Sequence, residues 1–370
     1  MRVNDVTAAL AAAASVAVAQ VFPPPGGPFH VSLEHSELVD ESRQDPFNST
    51  HARRMMITRF TPVPKDHCKK LCNVPYMTPE VAKVEDEILG PYMEGIVESP
   101  GDMLLGLQLE VCCEVHKTAS TKSFPKILFG TGLNTTRSFY SGTVQQIASM
   151  GYEIVLMDHP YETDVVQFPN GDIIIGGHIG RDVEDLENIV FGLDVRTQDV
   201  KFVLDTFGIE KTVYIGQSYG GASAAAALLN ETRLVAGVNL DGALWGNVQY
   251  TGVDRPFLSF GSVGHNSSFE SDPSWANFFD AMETNHSQVW NKELSVLDSI
   301  HGAYYDFSII GDVTGLRQKS VSFFGKITGE RMDKILREYL NDFIQFTLLG
   351  GDESLLSGPS PEFEDVLFIR

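Results

Sequence analysis

From about residue 105 onward, short apolar runs alternate with longer stretches of helical spacing. Leu107–Val115, Ile127–Gly130, Glu153–Met157, Thr212–Gly216, Val235–Leu240 and Pro256–Gly261 are rich in β-branched and aromatic residues, which predicts buried strands. Helical patterns lie between them at Ser138–Met150, Arg181–Phe207 and Gly221–Leu229. Strands that alternate with helices predict the α/β class, a mostly parallel central sheet flanked by helices. Leu107–Val115 alternates apolar and polar positions and suits an antiparallel edge. Arg331–Leu349 has apolar positions at helical spacing and should pack on the sheet. The flanks are less regular. Gln20 to about Pro64 contains Pro23-Pro-Pro-Gly-Gly-Pro28 and reads as a loosely ordered or surface-wrapping extension. From about Lys65 to Pro100 follows a transition with a helix near residues 78–90, and residues 351–370 read as a tail. The domain plan is therefore an N-terminal segment 1–19, an extension 20–100, a catalytic domain 101–350 and a tail 351–370.

Composition narrows the picture. With 370 residues, 43% of them hydrophobic, the chain can bury one large core, so one domain with extensions is expected. A net charge of −22 argues against nucleic acid and against lasting attachment to an anionic membrane surface. Arg2, the alanine-rich run Val6–Ala19 and the small-x-small site Ala17-Val18-Ala19 read as a secretory signal ending before Gln20. Extracellular localisation is the expectation. Asn48, Asn134, Asn230, Asn266 and Asn285 begin glycosylation sequons, which have meaning in that compartment. Cys68, Cys72, Cys112 and Cys113 are an even set and suggest disulfides. Vicinal Cys112 and Cys113 should bond outward, so Cys68 and Cys72 are expected to staple the extension to the strand around Cys112. A zinc site is the alternative, and no histidine spacing supports it.

Candidate chemistry centres on Gly216-Gln217-Ser218-Tyr219-Gly220-Gly221. A strand-like run leads in and a small-residue helix, Ala222-Ser223-Ala-Ala-Ala-Ala, leads out. That is the setting of a nucleophile elbow, where a serine sits on a tight turn with its hydroxyl exposed. A serine hydroxyl needs a base to remove its proton, and the base needs an orienting carboxylate. In this architecture the chain order is Ser, then acid, then His. Asp241 ends the strand-like run 235–240, on the sheet edge that carries the elbow; Glu270 and Asp272 are its rivals. The histidine is sought among His265, His286 and His301. His301 is favoured because it follows the apolar stretch 294–300 and precedes a loop, whereas His265 reads as surface loop and His286 lies inside a sequon. Tyr219 should supply one oxyanion-hole N–H, and Leu133 or its neighbour, in the glycine turn after Lys126–Gly130, the other. A glycan at Asn134 would crowd that turn, so this sequon is expected to be unused.

These residues together resemble the plasma-type platelet-activating factor acetylhydrolases, a branch of the α/β-hydrolases, over roughly residues 105–340. Gly132-Leu133-Asn-Thr-Thr-Arg137-Ser-Phe-Tyr140-Ser141 is similar to the family's turn after a strand. Arg196-Thr-Gln-Asp199-Val-Lys-Phe-Val-Leu204 is similar to its helix before the elbow, and Leu240-Asp241 and His301 with Asp306-Phe307 to its acid and histidine segments. The resemblance implies a Ser218, Asp241, His301 triad, oxyanion donors at Leu133 and Tyr219, no metal or other cofactor, and hydrolysis of phospholipid esters with short or oxidised acyl chains. It implies a small-molecule ester or phospholipid substrate and at most transient contact with a lipid surface. The sequence departs from the family at Thr131 and Gln217, where the family has histidines; both bear on the acyl pocket. Two other readings are a broader carboxylesterase or cutinase-like polyesterase, and a non-catalytic binding protein on a hydrolase fold.

Overall fold

Successive residues of the central strands face opposite helical layers, as strands buried on both faces require. Ile127 and Phe129, Val213 and Ile215, and Val238 and Leu240 pack into one core; Leu128 and Tyr214 pack into the other. The computed structural model describes residues 20–96, 103–116, 124–180 and 185–370. The expected secretory signal, residues 1–19, lies outside them.

The main sheet has nine strands: β1 (Phe29–Gln44), β2 (Ala52–Pro64), β3 (Lys126–Gly130), β4 (Glu153–Met157), β5 (Thr212–Gln217), β6 (Leu234–Leu240), β7 (Phe257–Gly261), β8 (Asn291–Val296) and β9 (Val366–Phe368). Their spatial order is β9-β8-β7-β6-β5-β3-β4-β2-β1. The six strands from β8 to β4 are parallel; β9 and β2 pair antiparallel with them at the two ends, and β1 pairs antiparallel with β2. Helices α1 (Pro79–Leu89), α2 (Ser141–Ala148) and α6 (Gly329–Leu349) cover one face; α3 (Leu186–Thr206), α4 (Tyr219–Leu228) and α5 (Pro273–Asn285) cover the other.

Two readings of the flanks are corrected. The segment taken as a loose extension supplies β1 and β2, a long hairpin paired from Phe29 with Pro64 inward and joined to β4. The Pro- and Gly-rich run ends at Pro28, just before β1 begins, and β1 itself is largely half-exposed, so its polar positions mask a strand. The tail returns as β9 on the opposite edge. The sheet therefore crosses the boundaries drawn at residues 100 and 350. Leu107–Val115 is a strand, but it lies in a separate three-stranded sheet with Gln20–Val21 and Cys68–Pro75. Cys68 bonds Cys112 and Cys72 bonds Cys113, so both vicinal cysteines bond outward across that antiparallel pair.

Candidate active site

Ser218 sits between β5 and α4 at φ 54° and ψ −124°, a backbone shape that side chains other than glycine rarely take. Its neighbours allow it. A Cβ on Gly216 would collide with the Gly220 carbonyl, and one on Gly220 with the Gly130 carbonyl of β3. The elbow is pinned by Ser218 N–H donating to the Leu240 carbonyl at 2.8 Å, which couples the nucleophile turn to the end of β6.

At the end of β6, Asp241 also has positive φ, 61°. Asn239 closes this turn: its Oδ1 accepts from Gly242 N–H at 2.9 Å and its Nδ2 donates to the Gly242 carbonyl at 2.6 Å. The Asp241 carboxylate is 2% exposed. Its Oδ2 lies 2.7 Å from His301 Nδ1, and its Oδ1 accepts from Ser262 N–H at 2.6 Å. His301 stands at the start of a short 3₁₀ turn, His301–Tyr304, with its side chain 52% exposed. The structure thus brings Asp241 and His301 together. It does not join His301 to Ser218: His301 Nε2 lies 3.2 Å from Gln217 Nε2, and Ser218 Oγ makes no hydrogen bond among the described residues.

His265 is not a free surface histidine. Its Nδ1 lies 2.9 Å from Asp241 Oδ1 and its Nε2 2.8 Å from Asp272 Oδ2, with the ring packed on Trp275 at 4.4 Å between centroids. Both ring nitrogens face carboxylates, which can only accept, so both donate and the ring is an imidazolium. Burial pushes His265 down, but the hydrogen bonds to Asp241 and Asp272 outweigh it and raise it to about 9. Burial pushes Asp241 up, and the bonds from His265 and His301 hold it instead at about 2. Asp272 caps α5, accepting from Ser274 N–H at 2.7 Å, and reaches His265 rather than His301. Glu270 has no hydrogen bond or ion pair with either histidine among the described residues. His286 lies at the end of α5, 3.1 Å from the Thr251 carbonyl, away from the triad candidates.

The turn after β3 is held by two buried groups. Arg196 of α3 donates to the carbonyls of Thr131, at 2.6 Å, and Gly132, at 3.1 Å, and pairs with Glu162. Gly132 N–H donates to the Tyr140 hydroxyl at 2.7 Å, and that hydroxyl donates to Gln217 Oε1 at 2.8 Å. Gly132 N–H is therefore occupied, while the N–H groups of Leu133 and Tyr219 have no hydrogen-bond partner among the described residues. Sequence reasoning missed the roles of His265, Arg196 and Asn239. A helix-start signal was present for Asp272, in Asp272-Pro273-Ser274-Trp275, but nothing in the sequence places His265 between two carboxylates.

The layered parallel sheet with a strand–turn–helix at Ser218 is that of the α/β-hydrolases. Residues 184–344 match the family described as alpha/beta hydrolase fold. A ferulic acid esterase from Streptomyces cinnamoneus superposes with a TM-score of 0.76 over 95% of this chain and all of that one, at 23% identity, a likeness of fold. A protein of Arthroderma benhamiae (strain ATCC MYA-4681 / CBS 112371), named a probable 1-alkyl-2-acetylglycerophosphocholine esterase, is 38% identical over 97% of this chain and 96% of its own. The chain belongs to the 1-alkyl-2-acetylglycerophosphocholine esterase family of α/β-hydrolases and is a carboxylic ester hydrolase.

Proposed function

We propose that this is a secreted serine esterase acting through an acyl-enzyme on phospholipids with short or oxidised acyl chains. Ser218 is the nucleophile, His301 the base, Asp241 the orienting acid, and the N–H groups of Leu133 and Tyr219 the oxyanion donors. The observation that carries the reading is the 2.7 Å contact of His301 Nδ1 with Asp241, one hydrogen bond from the Ser218 elbow through Leu240. Asp241 keeps the Nδ1 proton in place, which leaves Nε2 as the acceptor. On substrate binding, Nε2 exchanges the Gln217 amide for the Ser218 hydroxyl and takes its proton as Oγ attacks the ester carbonyl. The proton then passes to the departing alcohol. Water repeats the sequence in reverse and releases the carboxylic acid. The substrate class follows from the name of the Arthroderma relative and from the motif resemblance. Secretion is supported by the alanine-rich start of the chain and by four cysteines that are all paired.

The test is a rate comparison on an acetylglycerophosphocholine, a long-chain triglyceride and an insoluble polyester. The acetyl phospholipid should be fastest by a wide margin in kcat/KM. Faster turnover of the triglyceride or polyester would replace this reading with the broader carboxylesterase or polyesterase one.

His265 also gives a pH prediction. As an imidazolium it offsets the Asp241 charge from the side away from His301; among the described residues, its other ring nitrogen faces Asp272. His265→Gln keeps a donor to Asp241 and removes the cation. The uncompensated carboxylate then favours the protonated, inactive form of the base. The acidic limb of the kcat/KM profile should move to higher pH by roughly one unit, with activity at neutral pH falling about tenfold or less. A uniform loss of kcat with an unmoved acidic limb would mean that His265 only braces the loop.

A further inference from the structure

We propose that the pocket beside the Leu133 turn binds the alkylated ammonium group of a substrate headgroup, an assignment that rests on the esterase reading above. The cavity holds about 160 Å³. One wall is a run of rings: Tyr305 and Phe307 have centroids 4.7 Å apart, Phe307 and Phe323 5.2 Å, and Phe323 and Tyr92 6.3 Å. The polar lining comprises Glu85, Asp164, Asn134 and Thr135, with no lysine, arginine or histidine among the described residues. Glu85 is 1% exposed, and neither its Oε1 nor Asn134 Oδ1 has a hydrogen-bond partner. Neither Glu85 nor Asp164 has an ion-pair partner among the described residues. Glu85, Asp164 and Asn134 all line this one cavity.

Two carboxyls that share a cavity with no cation beside them are pushed towards the neutral acid, and a positive ligand would restore their charge. The described residues contain no cluster of three or more metal-ligating side chains, and most of the wall is aromatic or aliphatic. Ring faces attract a cation through their quadrupole, and an alkylated ammonium suits such a cage because it needs no hydrogen-bond acceptors. Burial and the nearby carboxylates of Asp164, Asp158 and Asp86 push Glu85 well above its ordinary range; burial and Glu162 raise Asp164 to about 7. Both are acids lacking a counter-ion. The pocket is also tied to the reacting centre. Asn134 follows Leu133 directly, and Tyr305 stands four residues after His301. Tyr305 packs at 5.4 Å on Tyr140, whose hydroxyl holds Gly132 and Gln217.

Two measurements test this. The first compares kcat/KM for 1-alkyl-2-acetylglycerophosphocholine, the ester with the charged ammonium, with that for an isostere in which the quaternary nitrogen is carbon and only the phosphate charge remains. The wild type should favour the charged ester by roughly tenfold or more, and the ratio should fall towards one in Glu85→Gln and in Asp164→Asn. Equal rates in the wild type, or an unchanged ratio in both variants, would overturn the proposal. The second needs no turnover: tetramethylammonium chloride, against sodium chloride at the same ionic strength, should raise the wild-type Tm and raise KM for the charged ester. A Tm rise without competition would assign the pocket to a free cation and overturn the headgroup assignment. A selective Tm rise in protein that hydrolyses neither ester would locate the failure in the esterase reading. No Tm rise would count against the pocket itself.

Discussion

Ser218→Ala is expected to lower kcat on an acetyl ester by about 10⁵-fold while KM changes little. The size follows from what the hydroxyl does in the proposed mechanism: it forms the bond that splits hydrolysis into two easier steps, and neither His301 nor the oxyanion donors can replace it. A residual rate above that in water should persist, because the Leu133 and Tyr219 N–H groups would still meet a carbonyl oxygen. The fold should be unaffected. The Ser218 hydroxyl makes no hydrogen bond among the described residues, and alanine carries the same Cβ into the same positive-φ position. A change in unfolding free energy within about 0.5 kcal/mol is expected. Burst-phase kinetics, with an organophosphonate that labels the wild type and not the variant, make the check. Retention of more than about one part in a hundred of the activity would remove Ser218 from the chemistry.

That serine was legible because the elbow compresses its requirements into six consecutive residues. The glycines at 216 and 220 are needed where β5, α4 and β3 touch, and the strand and helix on either side are strongly patterned. Chain order, the strand end before Asp241 and the family resemblance pointed to Asp241 and His301 together, and the two side chains meet at 2.7 Å. The parallel strands were legible for a related reason: burial on both faces leaves continuous apolar runs. The edges were not. Each face of β1 and β2 meets a different surrounding, and the pairing that joins their hairpin to the sheet is that of β2 with β4, about a hundred residues further on. The same limit hid His265 and Arg196, since a side chain's role as a bridge depends on what the fold brings to its far end. Gln217 shows a third case. Its departure from the family motif was visible, but its hydrogen bonds to Tyr140 and His301 were not.

Asp199→Ala is expected to destabilise the protein by about 3–5 kcal/mol, the largest stability effect foreseen here. Asp199 lies fully buried on α3 and accepts from Arg53 Nη2 at 2.7 Å, from Arg53 Nε at 3.2 Å, from His159 Nδ1 at 2.9 Å and from Arg43. Arg53 is 1% exposed and belongs to β2, so this carboxylate ties the edge hairpin to the helical layer. Without it, Arg53 keeps Asp45 and the Pro160 carbonyl, and its guanidinium loses the partner that offsets most of its desolvation. Asp205, on the same helix and half-exposed, pairs with Lys201 and Arg233 and provides the contrast: Asp205→Ala should cost about 1 kcal/mol or less, because water already screens it. The pH dependence has a definite sign. Burial pushes Asp199 up, but Arg53 and His159 outweigh it and hold the carboxyl far below the usual range. Its stabilisation is therefore present at neutral pH and down to the unfolded-state value near 4, and is lost as pH falls further, towards the folded-state value. Urea unfolding of wild type and variant should differ by the full amount at pH 7 and converge as the medium is acidified below about pH 4. A constant difference down to pH 2 would assign the loss to packing, and a difference below 1 kcal/mol at pH 7 would show that water reaches Arg53 when Asp199 is gone.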